Sequence, residues 1–309
     1  MAKVKQFFSK NTLLVIFVVL CAALSFATDR FLTISNITDV IRTNAINGLL
    51  AVGLTYVILA GGIDLSVEAT ACLAGLIAGY LSSSPVVALL AGLLIGAGIG
   101  AFNGIVLEKS GVQPFIFTLA MSRLVRGIVM AITKGKNYYT IDPKFTAIVK
   151  NNIFGIPTLI VLFVIIVAVT YFLLNHTKYG RYIYAVGSNE EAARLSGIRT
   201  NRVKISSYVI AGMLSAFAGM MLTARLSGAE TTAAEGWSLD AVSCVIIGGT
   251  SMRGGRGGIL NTLLGIFIIA VLNNGMTLIG VPTNFNQLIK GLLMLVAVLL
   301  DVSSRKKKR

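Results

Sequence analysis

The chain has 309 residues, is 55% hydrophobic, has a mean hydropathy of +0.83 and carries only 13% charged residues. Soluble domains hold roughly 25%, so an ordinary soluble enzyme and a disordered chain are both excluded. The net charge of +15 does not indicate a nucleic-acid partner, because the basic residues fall between apolar runs and in the tail Arg305 to Arg309, not on one polar face.

A spanning helix needs about 20 mostly apolar residues, with a range of about 17–25. In chain order the candidate runs are 11–27, 43–61, 65–83, 86–107, 115–133, 153–174, 205–226, 237–252, 259–280 and 288–302. Lys3, Lys5 and Lys10 ahead of the first run resemble a secretory signal. Leu20 before Cys21 does not suit a lipoprotein cleavage box, and many spans follow, so an uncleaved first helix is expected. The expected fold class is an all-α, polytopic membrane protein of about ten transmembrane helices forming one domain over 1–309. Of these runs, 237–252 is short and 65–83 almost touches its predecessor.

Lys and Arg concentrate on the cytoplasmic side of membrane proteins. With the N-terminus inside and ten spans, the inner segments hold 17 basic residues and the outer ones hold 6, namely Arg30, Arg42, Lys134, Lys136, Lys144 and Lys150. Both termini are then cytoplasmic, and 227–236 is an outer connection. Cys21, Cys72 and Cys244 each lie in an apolar run without metal spacing, which suits packing and not disulfides. Gly92, Gly96 and Gly100 make two small-xxx-small steps, a device for close helix packing. The stretch Val57-Ile58-Leu59-Ala60-Gly61-Gly62 is echoed by Val245-Ile246-Ile247-Gly248-Gly249. Paired glycine-interrupted segments of this kind occur in broken helices beside transport pathways, although chance similarity explains such a composition equally well.

No catalytic constellation is found. His176 is the only histidine, and Arg253 to Gly258 lacks the lysine and hydroxyl of a phosphate-binding loop. No catalytic residue, metal or cofactor is assigned. Charges within a bilayer are costly and point to function by default, which singles out Asp64, Glu68, Arg123, Arg126 and Asp240. Asp64 and Ser66 are read either as hydrogen-bonding groups on a broken helix facing a hydrated path or as caps in a tight cytoplasmic turn. Glu68 lies a turn deeper, with Arg126 as its expected ion-pair partner unless that side chain snorkels. Asn273 and Asn274 fall mid-run, where amides join helices or, alternatively, line a pathway. The longest polar stretch, 175–204, is expected to face the cytoplasm. Ser188 and Glu191 have capping-box spacing and Gly197 suits a helix stop, so a helix of about two turns is expected between them.

Glu191-Ala192-Ala193 followed by Gly197 resembles the E-A-A-x-x-x-G signature of ABC importer permeases. Gly62-Ile63-Asp64-Leu65-Ser66-Val67, Gly248-Gly249-Thr250-Ser251 with Gly254 to Gly257, and Leu272-Asn273-Asn274-Gly275 resemble motifs of the ribose/xylose-type sugar permeases. The resemblance runs from about 31 to 301, with Glu68 standing where the family pattern usually has glycine. It implies a bacterial plasma-membrane permease subunit that moves a monosaccharide by alternating access. It also implies a second permease copy, a cytoplasmic ABC ATPase and an extracytoplasmic sugar-binding protein, in a setting of membrane lipid. Glu191, Ala192, Ala193, Leu195 and Gly197 would form the coupling helix that docks into the ATPase. Asp64, Ser66, Glu68, Asn273 and Asn274 would line the pathway. Competing readings are a branched-chain amino-acid permease of the same architecture and an ion-coupled carrier in which Asp64, Glu68 or Asp240 titrates.

Overall fold

The computed structural model describes residues 12–282 and, beyond them, Phe285, Leu288, Ile289, Gly291, Leu292 and Leu295. Those positions apart, the run at 288–302 and the basic tail lie outside the described residues. The helices are α1 (Thr12–Ala27), α2 (Ile34–Leu59), α3 (Val67–Tyr80), α4 (Pro85–Ser110), α5 (Pro114–Thr133), α6 (Pro143–Lys150) and α7 (Thr158–His176). They continue with α8 (Lys178–Ser188), α9 (Glu190–Leu195), α10 (Thr200–Leu226), α11 (Trp237–Ile247) and α12 (Ile259–Leu278). The strands among the described residues are one short antiparallel pair, β1 (Asn152–Ile153) and β2 (Ile156–Pro157), between α6 and α7.

Among the described residues six helices are long and apolar enough to cross a membrane: α2, α4, α5, α7, α10 and α12. The chain is an all-α, multi-pass membrane protein. Helix α2 begins at Ile34, nine residues ahead of its apolar run, so Arg42 lies within a helix and not in an outer connection. Thr33 caps it by accepting from Asn36 N–H. From Ala45 to Leu59 every residue of α2 except Asn47 is buried, because α10, α11, α12 and α7 surround it. By contrast only 22% of the apolar window of α4, α5 and α7 is buried, which leaves their outer faces to lipid.

Helices α4 and α10 meet through backbone. Gly96 and Gly212 face one another so closely that a β-carbon on either would overlap the other's carbonyl oxygen, and Gly100 sits in the same way against Tyr208. The small-residue spacing thus serves van der Waals packing, which replaces the hydrophobic effect where the solvent is itself apolar. Gly98, on the opposite face of α4, has nothing within 4 Å of where its β-carbon would be. Thr55 and Thr262 share a 2.7 Å hydrogen bond between α2 and α12.

The glycine echo in the sequence is a repeated helix terminator. After α2, Gly61 N–H donates to Ile58 C=O (3.0 Å) and Gly62 N–H to Val57 C=O (2.8 Å). After α11, Gly249 N–H donates to Ile246 C=O (2.8 Å) and Thr250 N–H to Val245 C=O (3.1 Å), each position displaced by 188 residues from its counterpart. Gly61 and Gly249 adopt φ of +86° and +91°. This is the Schellman arrangement, which needs a left-handed residue and therefore favours glycine.

Helix α11 is not a full span. Its 11 residues give about 16 Å, half of a roughly 30 Å hydrocarbon layer. The segment before it, 227–236, is not a simple outer connection. Ala229 packs on Gly79, Cys72 Sγ lies 3.5 Å from the carbonyls of Glu230 and Thr231, and Glu68 reaches Ser238. The chain therefore turns back at the end of α10 and descends along α3 before α11 begins.

Candidate functional site

The break between α2 and α3 is stitched to three other helices. Asp64 Oδ1 accepts from Ser66 N–H (2.8 Å) and Ser66 Oγ–H (2.6 Å), and Asn103 on α4 donates through Nδ2 to Ser66 Oγ at 2.8 Å. Leu65 N–H donates to Thr118 Oγ1 on α5 (3.1 Å), and Tyr208 of α10 donates to Ile63 C=O (3.3 Å). Non-helical backbone inside a membrane must find such partners, since no solvent supplies them. Asp64 and Ser66 are each only 1% exposed. Asp64, and not Ser66, holds the first turn of α3: Ser66 makes no side-chain cap hydrogen bond. Asp64→Asn keeps an acceptor oxygen for Ser66 N–H, so its protein yield, thermal unfolding and uptake are expected to stay near wild type. Asp64→Leu strands that buried donor, at a cost of about 1–3 kcal/mol, and is expected to unfold at a clearly lower temperature.

Glu68 is elsewhere. Its carboxylate accepts from Ser238 N–H (3.2 Å) and Ser238 Oγ–H (2.8 Å) at the first turn of α11. A carboxylate there satisfies a helix-terminal donor and complements the helix dipole, as does Asp240 in the same turn. Among the described residues Glu68 makes no ion pair with Arg126. Arg126 Nη1 instead donates to the carbonyls of Thr231 (3.1 Å) and Ala233 (2.9 Å). Asn137 Oδ1 accepts from Thr231 N–H (2.9 Å) and Oγ1–H (3.1 Å), and Tyr138 and Ala229 exchange backbone bonds. The descending segment is thus gripped chiefly by its backbone. Arg123 is exposed on α5.

Gly219 of α10 touches Ala71, one turn beyond Glu68 on α3, through backbone.

Asn274 and Asn36 exchange amide hydrogen bonds of 3.0 and 2.7 Å, joining α12 to α2. Asn273 borders a pocket of about 240 Å³ with Asp39, Thr43, Asn44 and Thr277. The structure therefore brings Asp64 and Ser66 together, holds Glu68 of α3 a turn away against Ser238 of α11, and puts the asparagine pair in a third place.

At the opposite end from this pocket lies α9. Its N-cap is Asn189, which accepts from Ala192 N–H (3.0 Å), and Ser188 is the last residue of the amphipathic α8. The expected cap at Ser188 is displaced by one residue because α8 continues to that point. After α9, Gly197 at φ +81° gives Gly197 N–H to Arg194 C=O (3.0 Å) and Ile198 N–H to Ala193 C=O (3.1 Å), a third Schellman stop. Glu191 and Arg194 pair on the exposed face, and the arginine's hydrogen bond and charge hold the Glu191 carboxyl below its usual range. Leu195 is 80% exposed, whereas Ala193 is 5% exposed and packs into the core. Sequence reasoning did not find Lys204, which bridges Glu190 of α9 (2.6 Å) and Glu108 of α4 (3.1 Å). It also missed Asn103, Thr118 and Ser238, whose partners are remote in sequence.

The glycine-rich stretch 248–258 packs on the end of α8. Gly255 N–H donates to Leu59 C=O (2.9 Å), Tyr184 O–H to Gly257 C=O (2.9 Å), and a β-carbon on Gly187 would overlap the Leu59 carbonyl. The root of α9 therefore touches the end of α2.

Residues 36–298 match the model of the branched-chain amino acid transport system / permease component family. The chain belongs to this permease family. The ribose import permease protein RbsC of Escherichia coli (strain K12) is 40% identical to this permease over 96% of both chains. RbsC of Bacillus subtilis (strain 168) is 43% identical over 92% of this chain and 89% of its own. The D-allose transport system permease protein AlsC of Escherichia coli (strain K12) is 34% identical over 90% and 86%. No solved structure matches the permease.

Proposed function

We propose that this permease is the membrane subunit of an ATP-driven importer of a monosaccharide, working as a homodimer by alternating access. A cytoplasmic ATPase docks on α9, and an extracytoplasmic binding protein delivers sugar at the opposite end. The permease holds no ATP site of its own; hydrolysis belongs to the partner. The observation that carries this reading is α9 itself: a short, capped helix with an exposed apolar tip, between two basic segments, in a chain akin to permeases named for ribose and D-allose. The names of these relatives favour a sugar over an amino acid. The basic residues that flank α9, Lys178, Arg181, Arg199, Arg202 and Lys204, support a cytoplasmic α9.

Leu195→Arg tests the docking. A bulky apolar anchor entering a groove is the usual hot spot of helix recognition, and replacing this exposed leucine should leave insertion and folding intact. Co-purification with the ATPase and sugar-stimulated hydrolysis are expected to fall by about tenfold or more, the effect of losing roughly 1.4 kcal/mol of contact. Gly197→Val, which forces a β-carbon into φ +81° at about 1 kcal/mol or more, acts in the same direction. Sugar accumulation in liposomes driven by an ion gradient, without ATPase and insensitive to both substitutions, would overturn the reading.

A further inference from the structure

The return from α9 into the bundle encloses a cavity of about 500 Å³. One wall is the beginning of α8, with Tyr179 and Tyr182; the other is the start of α10, with Arg199, Arg202, Val203 and Ser206. Ser206 Oγ–H donates to Tyr179 Oη at 2.9 Å and joins the two walls. Val203 is buried, Tyr179 and Ser206 are half-buried, and Tyr182, Arg199 and Arg202 are exposed. The cavity is thus an apolar recess with its charges at the rim. Two spans set its level. Tyr179 stands three residues after the end of α7 at His176, and Arg199 and Arg202 stand just before the apolar run that begins at 205. Both walls therefore lie where a span meets the lipid headgroups. The charges are free. Between 175 and 204 there are six basic and two acidic residues, and both acids are taken, Glu190 by Lys204 and Glu191 by Arg194. Neither Arg199 nor Arg202 has an ion-pair or side-chain hydrogen-bond partner among the described residues. The first turn of α10 is open as well, because its cap Arg199 makes no side-chain cap hydrogen bond, and a helix N-terminus attracts anions.

We propose that this cavity binds the phosphate of an anionic phospholipid of the inner leaflet through Arg199 and Arg202, an inference that takes from the importer reading only the cytoplasmic placement of α9. One turn apart, the two arginines share a face at the start of α10, and a guanidinium forks onto phosphate oxygens with two parallel N–H donors. Tyr179 and Tyr182 supply what a free phosphate has no use for. Their rings face glycerol and upper acyl carbons while their hydroxyls stay at headgroup level, as tyrosine does at membrane interfaces. Basic pockets between spans on the inner face suit anionic headgroups, whereas a zwitterionic headgroup brings a cation of its own that two arginines repel. Gly197, the stop of α9, also lines the cavity, so a seated lipid braces the end of α9 against the membrane.

The test uses the full-length permease in detergent, exposed to mixtures of phosphatidylglycerol and phosphatidylcholine, with the retained lipid counted by mass spectrometry. The wild type is expected to retain phosphatidylglycerol over phosphatidylcholine by about tenfold, equivalent to roughly 1.4 kcal/mol, and inorganic phosphate should not displace it. Arg199→Gln with Arg202→Gln should abolish the preference; both side chains are exposed and unpaired among the described residues, so folding is expected to be unchanged. Lys178→Gln with Arg181→Gln removes the same charge from exposed positions of α8 outside the cavity and should keep the preference. Tyr182→Ala, which leaves every charge in place, should lower retention severalfold. A wild type without preference would overturn the site whatever the variants do. Equal losses in the two paired variants would show diffuse attraction to a basic surface and overturn it too. Displacement by inorganic phosphate would make a soluble anion the occupant, and release of the lipid on adding the ATPase would assign the two arginines to the docking surface; either result overturns the lipid site. Lipid retention involves no sugar and no ATP, so a permease that accumulates no sugar with its ATPase and binding protein would fail the importer reading and leave this site standing.

Discussion

Gly212→Val is expected to abolish the folded permease. A β-carbon at Gly212 overlaps the carbonyl oxygen of Gly96 on α4, and the obstacle is backbone, so no rotamer change relieves it. Overpacking of a tight interface costs about 1–3 kcal/mol and sometimes more. Here relief requires α4 and α10 to separate along a seam that continues from Gly96 to Gly100. Little monodisperse protein should be recovered in detergent, and the residue that survives should unfold at a much lower temperature. Gly98→Val is the matched control, because that position has open space and a helix interior prefers almost any residue to glycine. Equal yields of the two variants would show that the α4–α10 seam does not hold the bundle together.

Gly187→Val is expected to give a permease that inserts and assembles but does not transport. Gly187 lies where the end of α8 meets the carbonyl of Leu59, which also accepts from Gly255 N–H at 2.9 Å. A side chain there pushes α8, and α9 behind it, away from the α2 terminus, while the membrane-embedded seams are untouched. ATP hydrolysis should persist while sugar uptake falls by about tenfold or more, equivalent to roughly 1.4 kcal/mol of lost coupling. Uptake and hydrolysis measured on the same liposomes decide the matter: normal uptake would show that this contact transmits nothing.

The long spans were legible because their apolar runs exceed any core helix. The α9 stop at Gly197 was legible because a left-handed turn leaves a glycine behind, whereas the echo at Gly61 and Gly249 was visible but not its meaning as a repeated helix terminator. The re-entrant segment was not. Glu230, Thr231, Thr232 and Glu235 have the composition of an aqueous loop, and Arg126, Asn137 and Tyr138, which hold the segment against α3, lie about 100 residues away. The shortness of the apolar run 237–252 was the one available hint. The partners of Asp64 were equally hidden, since Asn103 in an apolar run carries no local signal that it bonds to Ser66. Ser188 was placed one residue early because a cap and the last turn of a preceding helix use the same residue types.

Arg126 grips the carbonyls of Thr231 and Ala233, and Cys72 lies against those of Glu230 and Thr231. Carbonyl oxygens are common to all twenty amino acids. Substitutions at 232 and 235 therefore leave the anchor chemically unchanged, and a descendant of this chain can change what its segment displays without rebuilding the scaffold beneath. Variation of the surface and preservation of architecture are separated at the level of single atoms: side chains are free to vary while main-chain oxygens keep the shape.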